Sequence, residues 1–139
     1  MKLNSRVYCA DIYAFKFPRE SYDAFVFFSF SYSLIPSSKR RIEILKRLHG
    51  SLDSDGCILI NFEPYEGWGH RLARLAAGIG RATSHPSPPR EGDVFSPGLG
   101  YQHLFTRQEI EAESLAANYR LTEYLHDGRR IIAVLKKAV

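Results

Sequence analysis

Two long apolar runs dominate the first half of the chain and predict buried strands. Residues 22–30 (YDAFVFFSF) form one of them, and residues 57–62 (CILINF) form the other. Neither run alternates strictly between apolar and polar positions, so each is typical of a strand covered on both faces, as in a parallel sheet. A shorter β-prone stretch, residues 6–12 (RVYCADI), predicts a strand whose C-terminal end reaches Asp11.

A helical pattern lies between the two apolar runs. Apolar residues recur there every three or four positions, at Ile42, Leu45, Leu48 and Leu52. This spacing predicts a helix with one face against the sheet. Its start is marked by Pro36, Ser37 and Ser38, and its end by Gly50 and the Asp55-Gly56 pair. Strand, helix and strand joined in this order form a right-handed crossover between parallel strands, so the predicted fold class is α/β.

The last third of the chain predicts a capped helix followed by an antiparallel hairpin. Thr106 and Glu109 have the spacing of a capping box, and Asn118 can close the helix in a left-handed conformation. Two β-prone runs follow, residues 120–125 and 130–135, separated by the turn residues Asp127 and Gly128. We therefore expect a mostly parallel sheet that ends in a C-terminal antiparallel hairpin.

Residues 64–100 differ from the rest in composition. Glycines are frequent early in this stretch and prolines late, around a short basic helix predicted near residues 72–77. We interpret the stretch as a loop-rich insertion, so residues 1–139 are predicted to form a single domain. The glycines at 78, 80, 98 and 100 are predicted turn residues, because neither pair follows a strand and opens a helix as a dinucleotide site requires.

Charge and composition narrow the possible partners. The 19 basic and 15 acidic residues leave a net charge of +4, and 45% of the residues are hydrophobic, which is ordinary for a soluble globular protein. Four basic residues are predicted on the solvated side of the helix: Arg40, Arg41, Lys46 and Arg47. Nucleic acid is not indicated as a partner, although an RNA-binding module built on the arginines of the insertion stays open as an alternative.

The cysteines and the apolar runs indicate where the protein is located, and the histidines indicate whether it binds a metal. Cys9 and Cys57 lie in apolar stretches, which predicts small buried thiols and a cytoplasmic protein. The densest apolar run is far too short to cross a bilayer, so no membrane association is expected. The five histidines are scattered without the close spacing of a metal site, and we predict no metal.

Several short segments, in this order, resemble a known family. They are Cys9-Ala10-Asp11-Ile12, Tyr22-Asp23-Ala24, Ser29-Phe30-Ser31-Tyr32, Asp55-Gly56 and His103-Leu104-Phe105-Thr106. Together they resemble class I S-adenosylmethionine-dependent methyltransferases, from about Val7 to Lys137. The resemblance implies a Rossmann-like sheet whose last strand is antiparallel, and S-adenosylmethionine as the cofactor.

The resemblance begins at the family's third strand, so the chain is expected to be truncated and to lack the N-terminal glycine-rich segment that holds the cofactor. In the family, two strands lie between the third and the fourth. Without them, the strand predicted at 22–30 becomes an edge that invites pairing with another strand. We therefore expect a homodimer or a split-enzyme partner. A non-catalytic remnant that acts as an interaction subunit is the alternative.

The resemblance also implies a cofactor site. It makes Asp11 the acceptor for the adenine amino group and packs Ile12 on the ring. Ser29, Phe30 and Tyr32 would lie where the family's fourth strand opens beside the transferable methyl group, with Tyr32 on the substrate side. As alternatives, Asp11 is an ordinary acidic residue at a strand end and Phe30 is simply part of the core.

A small-molecule acceptor site is predicted beyond the carboxyl ends of the strands, where open α/β sheets bind ligands. The residues that could line it are Glu63, Tyr65, Trp68 and Tyr101. His103 is the predicted catalytic residue, because an imidazole can act as a general base near neutral pH. The alternative is that His103 only hydrogen-bonds to neighbouring backbone, and that Tyr65 and Trp68 pack the insertion onto the sheet.

Overall fold

A mixed four-stranded sheet organises the part of the chain that the computed structural model describes, residues 8–19, 22–65, 91–96, 100–127 and 130–138. In chain order the elements are β1 (Tyr22–Phe27), α1 (Ser38–His49), β2 (Leu52–Phe62), β3 (Asp93–Ser96), β4 (Gly100–His103), α2 (Arg107–Ala116), β5 (Tyr119–Asp127) and β6 (Arg130–Lys137). The sheet order is β1-β2-β6-β5, and β3 and β4 form a separate antiparallel pair.

The strand directions match the α/β prediction. β1 and β2 are parallel, joined through α1. β6 is antiparallel to both of its neighbours, so β1, β2 and β5 point the same way. The antiparallel pairing predicted for the two C-terminal runs is therefore observed, whereas the turn residue Gly128 lies outside the described residues.

Helix α1 has the predicted apolar face, but its polar side differs from the prediction. Ile44, Leu45 and Leu48 are buried, and the helix ends before Gly50 as expected. The prediction that Arg41 is solvated is wrong, because its side chain is only 3% exposed and pairs with Glu113. Arg47 is half-buried rather than fully solvated. Periodicity alone missed both because their partners are distant in sequence.

Strand β2 begins earlier than predicted. The Asp55-Gly56 pair does not end the helix but lies inside β2, where the pairing shifts between Tyr22↔Leu52 and Ala24↔Cys57. This irregularity accommodates the extra residues of β2. A Cβ on Gly56 would lie 2.9 Å from the Asp23 carbonyl oxygen and 2.7 Å from the Leu52 side chain, so glycine allows the two strands to approach.

The predicted strand at residues 6–12 is not observed within the described residues, 8–12. Residues 8–10 have no regular structure, and residues 12–14 form a turn. The backbone amides of Ala14 and Phe15 both donate to the Asp11 carbonyl, which closes the turn instead of extending a strand. Cys9 is exposed and Cys57 half-buried, so the expectation of buried thiols is wrong for Cys9.

The capped helix is confirmed. The Thr106 hydroxyl accepts from the Glu109 amide at 3.2 Å, and the Glu109 carboxylate accepts from the Thr106 amide at 2.8 Å. Asn118 has a φ of 63°, the left-handed conformation expected after the helix. The β3–β4 pair occupies part of the stretch predicted as loop-rich, and the helix predicted near residues 72–77 lies outside the described residues.

The core lies between the sheet and the two helices. Its largest fully buried side chains include Tyr32, Tyr119, Phe62 and Phe105. β1, in contrast, pairs only with β2 among the described strands, and its edge leaves Val26 60% and the following Phe28 73% exposed. No described helix has the length and apolar character needed to cross a bilayer.

Candidate functional site

The loop that follows β1, residues 28–35, is the structural centre of the candidate site. We call it the β1–α1 loop. It turns sharply, with Ser29 and Phe30 both in the left-handed region at φ values of 50° and 62°. Non-glycine residues adopt this conformation infrequently, and such residues often cluster near functional sites. The Arg130 guanidinium lies 5.2 Å from the centre of the Phe30 ring, which is half-buried.

An apolar cleft of about 410 Å³ lies on one side of this loop. The residues that line it include Ile12, Phe17, Phe25, Val26, Ser31 and Ile35. Its volume falls within the range of small-ligand clefts. The structure thus brings the predicted cofactor residue Ile12 to the same cleft as the β1–α1 loop.

Asp11 lies between Ala10 and Ile12 in the chain. Both of these neighbours line the cleft, but Asp11 itself is not among the lining residues. Its side chain is exposed, and Oδ1 accepts a hydrogen bond from the Tyr13 amide at 2.8 Å. The second carboxylate oxygen receives no hydrogen bond from the described residues. Asp11 therefore combines a fixed backbone position with one oxygen open to a donor.

A polar cluster lies on the other side of the β1–α1 loop and is centred on His103. The His103 amide donates to the Ser33 carbonyl at 2.9 Å, which ties the cluster to the loop. Its Nδ1 lies 2.7 Å from Asp93 Oδ1, and the Tyr101 hydroxyl donates to the same oxygen at 2.8 Å. His103 Nε2 lies 3.5 Å from Glu109 Oε1, without hydrogen-bond geometry.

The charges around His103 favour its protonated form. Burial lowers the pKa of His103, but the contacts with Asp93 and Glu109 outweigh it and leave that pKa above 6.5. Burial raises the pKa of Glu109, but its contacts with His103 and Thr106 dominate and lower it. Burial and the bond to Asp93 raise the pKa of Tyr101 to about 12, so its hydroxyl is neutral at physiological pH.

A second buried cluster joins the two helices. Arg41 Nη2 lies 2.7 Å from Glu113 Oε1, and the Tyr32 hydroxyl donates to Glu113 Oε2 at 2.8 Å. Arg41 also stacks over the Phe105 ring at 4.8 Å. Tyr32 is fully buried and its hydroxyl is occupied, so in this conformation it offers no surface to a ligand.

Glu63 and Tyr65 follow β2 and lie against the chain that leads into α2. The Phe105 amide donates to the Glu63 carbonyl and the Tyr65 amide donates to the Phe105 carbonyl, at 3.3 and 2.8 Å. The Glu63 carboxylate lies 3.5 Å from the Gln102 amide nitrogen. Both residues are half-buried, next in sequence to the carboxyl end of β2. Trp68 lies outside the described residues.

The structure therefore brings the predicted residues into two groups. Ile12 lines the cleft and Asp11 precedes it in the chain, while Tyr101 and His103 share the polar cluster. The β1–α1 loop contributes Ser31 to the cleft and bonds to His103 through Ser33. Sequence reasoning missed Asp93, Arg47 and Glu113. Asp93 lies in a stretch interpreted as loop, and the antiparallel pairing of β3 with β4 places it directly opposite His103.

No protein-family model and no curated protein matches the chain. Among solved structures, an S-adenosylmethionine-dependent methyltransferase from Methanosarcina mazei aligns with a TM-score of 0.69 at 18% identity, over 94% of this chain and 66% of that one. The 1,6-didemethyltoxoflavin-N1-methyltransferase of Burkholderia thailandensis, solved with 1,6-didemethyltoxoflavin and S-adenosylhomocysteine, aligns with a TM-score of 0.66 at 14% identity, over 94% and 49%. A mitomycin 7-O-methyltransferase gives 0.60 at 12%, over 93% and 33%.

These alignments establish the fold. The chain spans from about a third to about two-thirds of the length of these proteins. Its α/β sheet, with the antiparallel β6 inserted between β2 and β5, has the fold of S-adenosylmethionine-dependent methyltransferases.

Proposed function

From this fold, we propose that the chain forms part of an S-adenosylmethionine-dependent methyltransferase that acts on a small-molecule acceptor. The observation that carries the proposal is the position of the β1–α1 loop. Ser31 lines the apolar cleft, and Ser33 bonds to His103 in the polar cluster. One loop thus separates a cleft suited to an apolar ring from a cluster of titratable groups, which suits a reaction between two bound molecules.

The cleft has the properties that the adenine end of the cofactor needs. Ile12, Phe17 and Val26 supply apolar surface for a ring. Asp11, which directly precedes Ile12, supplies an exposed carboxylate. A carboxylate oxygen accepts a hydrogen bond from an exocyclic amino group. We propose that Asp11 and Ile12 bind the adenine, and that Ser29 and Phe30 lie beside the sulfonium end.

When bound, S-adenosylmethionine would supply an electrophilic methyl group to the acceptor. The chain's own contribution is to align the acceptor, exclude water and hold its proton. We propose that Glu63, Tyr65 and Tyr101, with Trp68 of the insertion, line the acceptor side. His103 stands behind Tyr101 and can take a proton only when it is itself neutral, above its raised pKa.

A small acceptor is proposed from the proteins that share the fold. Two of the proteins compared above are named as methyltransferases of 1,6-didemethyltoxoflavin and of mitomycin. The described residues provide a cleft of small-ligand size, in agreement with that class.

The unpaired edge of β1 favours pairing with a second chain. Its outer backbone groups pair with no described strand, and Val26 and Phe28 are largely exposed. We propose that a strand from a second copy or from a split-enzyme partner pairs with β1 and completes the cofactor site. Size-exclusion chromatography with light scattering is expected to show a species larger than 15.9 kDa, and a single monomeric peak at micromolar concentration would count against this.

The exposed edge also favours a second candidate function, an interaction subunit without catalysis. In that case the chain would bind a partner through β1 but would not bind the cofactor. The two candidates differ in one property, saturable binding of S-adenosylhomocysteine.

The test is calorimetric titration of the full chain with S-adenosylhomocysteine. We expect saturable binding that weakens in Asp11→Ala, since that variant loses the exposed carboxylate next to Ile12. Asp127→Ala is the matched control, because Asp127 is an exposed acidic residue at the end of β5, on the far strand of the sheet. Equal weakening by both variants would contradict the assigned cofactor site. Absence of binding to the wild type would mean that the chain needs the partner proposed for β1 or that it is the interaction subunit.

A further inference from the structure

One guanidinium group holds the turn that carries Asp11. Arg47 Nη1 donates to the Ile12 carbonyl at 2.9 Å and to the Tyr13 carbonyl at 2.5 Å, and Nη2 donates to the Phe15 carbonyl at 2.6 Å. Arg47 lies on α1, more than thirty residues along the chain from these partners. A single side chain of a core helix thus fixes three main-chain groups of a distant segment.

The turn needs such an anchor because it is an isolated helical turn. Asp11 acts at its start, where the side chain accepts from the Tyr13 amide and the carbonyl accepts from Ala14 and Phe15. The carbonyls at the other end of a helical turn have no partners within it. An isolated turn is also unfavourable by itself, since ordering its residues is repaid by few hydrogen bonds. A cation at that end satisfies the carbonyls and complements their negative dipole.

Arginine is suited to this position in a way that lysine is not. Its planar group presents several N–H donors in fixed directions, whereas an ammonium is a compact charge on a flexible stem. All three hydrogen bonds of Arg47 described above go to main-chain carbonyls. Arg40 adds a weaker contact, with its guanidinium 5.7 Å from the Tyr13 ring. The geometry therefore depends mainly on Arg47.

We propose that Arg47 is a positioning residue for the cofactor: by holding the carbonyls of residues 12, 13 and 15, it sets the direction of the Asp11 carboxylate and of the Ile12 side chain at the apolar cleft. This inference rests on the proposed function, in which that cleft takes the adenine end of S-adenosylmethionine. Arg47 itself need not touch the ligand. Its effect on affinity passes through the turn.

The binding test uses S-adenosylhomocysteine with Arg47→Ala, Arg47→Lys and the control Lys46→Ala. Lys46 is an exposed neighbour on the same helix. If the turn is formed about a tenth of the time without the clamp, the dissociation constant rises about tenfold, because affinity scales with the competent fraction. We expect that loss of affinity in Arg47→Ala and a smaller loss in Arg47→Lys. Lys46→Ala should bind with the affinity of the wild type. Unchanged affinity of Arg47→Ala would overturn the proposal.

A double-mutant cycle with Asp11→Ala separates positioning from general damage. If Arg47 acts through the turn, Arg47→Ala adds little further loss once the carboxylate is gone. If it adds its full loss in that background, Arg47 supports the fold in general and the positioning role is wrong. Thermal unfolding of each variant confirms that binding is measured on folded protein.

Hydrogen exchange tests the clamp without any ligand. The amides of Ala14 and Phe15 are expected to be protected in the wild type and in Lys46→Ala, and to lose protection in Arg47→Ala. Unchanged protection would overturn the clamp even if binding fell. If the wild type binds no S-adenosylhomocysteine, neither as the isolated chain nor with the partner proposed for β1, but the clamp is observed, the proposed function fails. The positioning role then fails with it, while the anchored turn stands as a structural feature.

Discussion

Arg41 and Arg47 lie on the same helix and six residues apart, yet their guanidinium groups have different partners. Arg41 is buried and pairs with the carboxylate of Glu113 on α2. Arg47 is half-buried and binds only main-chain carbonyls in the interactions described above. The first joins two core helices, and the second orders a surface turn. The difference shows that the position of the partner, not the residue type, decides whether an arginine acts on stability or on a site.

The two environments also differ in how strongly stability depends on compensation of the arginine charge. Both charges of the Arg41–Glu113 pair have been removed from water, so each depends on the other for compensation. The carbonyls bound by Arg47 are neutral and lie nearer the surface, where water can replace the guanidinium. Loss of the first pair should therefore damage the fold, and loss of the second should damage mainly the cleft.

The largest effect is expected for Glu113→Ala, which leaves the Arg41 charge buried without a partner. Removal of one member of a buried ion pair destabilises by about 3–5 kcal/mol. Arg47→Ala should lower the free energy of unfolding by a smaller amount, about 1.5–3 kcal/mol, the value of a hydrogen bond from a charged donor. Urea denaturation of both variants measures the difference.

The control for this comparison is the double variant Arg41→Met with Glu113→Leu. Apolar replacement of both charges is expected to recover much of the stability lost in Glu113→Ala, because no uncompensated charge remains. Equal destabilisation by Glu113→Ala and Arg47→Ala would erase the proposed distinction between the two arginines.

A smaller effect on the free energy of unfolding is expected from a change of pH near neutrality. Both arginines stay charged in this range, whereas His103 changes its protonation. The pKa of His103 in the folded state lies above 6.5 because Asp93 and Glu109 outweigh the opposing effects of burial and of Arg41. A raised pKa means that this stabilisation is fully present below pH 6.5 and is lost as pH rises through the folded value. Each pH unit by which the folded pKa of His103 exceeds its unfolded value contributes about 1.4 kcal/mol to the free energy of unfolding.

Asp93→Asn should therefore weaken the gain in stability that the wild type shows between about pH 8 and pH 6. Urea denaturation at both pH values, with imidazole NMR of His103, measures it. The lowered pKa of Glu109 acts in a more acidic range, below 4.5, where its stabilisation is lost as pH falls. An identical pH dependence in Asp93→Asn would contradict the assigned role of Asp93.

The smallest effect is expected for Arg107→Ala. Arg107 pairs with Glu111 one turn along α2 at 2.8 Å, but its side chain is 64% exposed. Exposed pairs at this spacing contribute about 0.3–0.5 kcal/mol. The loss measured by urea denaturation should stay near that value and shrink in high salt, which makes this third arginine the solvated reference for the other two.

Local patterns were sufficient to predict much of the fold. The spacing of Thr106 and Glu109 predicted the capped helix, and Asn118 predicted its end, because each signal involves neighbouring residues only. The apolar runs predicted both β1 and β2, but the expected burial on both faces is wrong for β1, in which only Phe27 is buried. In β2 the buried positions alternate along its second half. The resemblance to methyltransferases was also correct at the level of fold.

Interactions between distant residues could not be predicted in the same way. Nothing near Arg41 in sequence indicates Glu113, which is 72 residues away, and nothing near Asp11 indicates Arg47. The strand predicted at residues 6–12 failed for the same reason, because a turn anchored by a remote side chain replaced it. The functional roles assigned to individual residues stay predictions. These residues are Asp11, Ser29, Phe30, Tyr32, Glu63, Tyr65, Trp68, Tyr101 and His103.

The β1–α1 loop lines the apolar cleft through Ser31 and bonds to the polar cluster through Ser33. A ligand that orders the loop at one of these places would therefore change the affinity for a ligand at the other. If one molecule orders the loop when it binds, the second molecule meets a loop that is already ordered. Linkage is reciprocal, and each molecule would then raise the affinity of the other by the same factor. Cooperative binding of two unlike ligands is the consequence of a single loop that has a contact on each side.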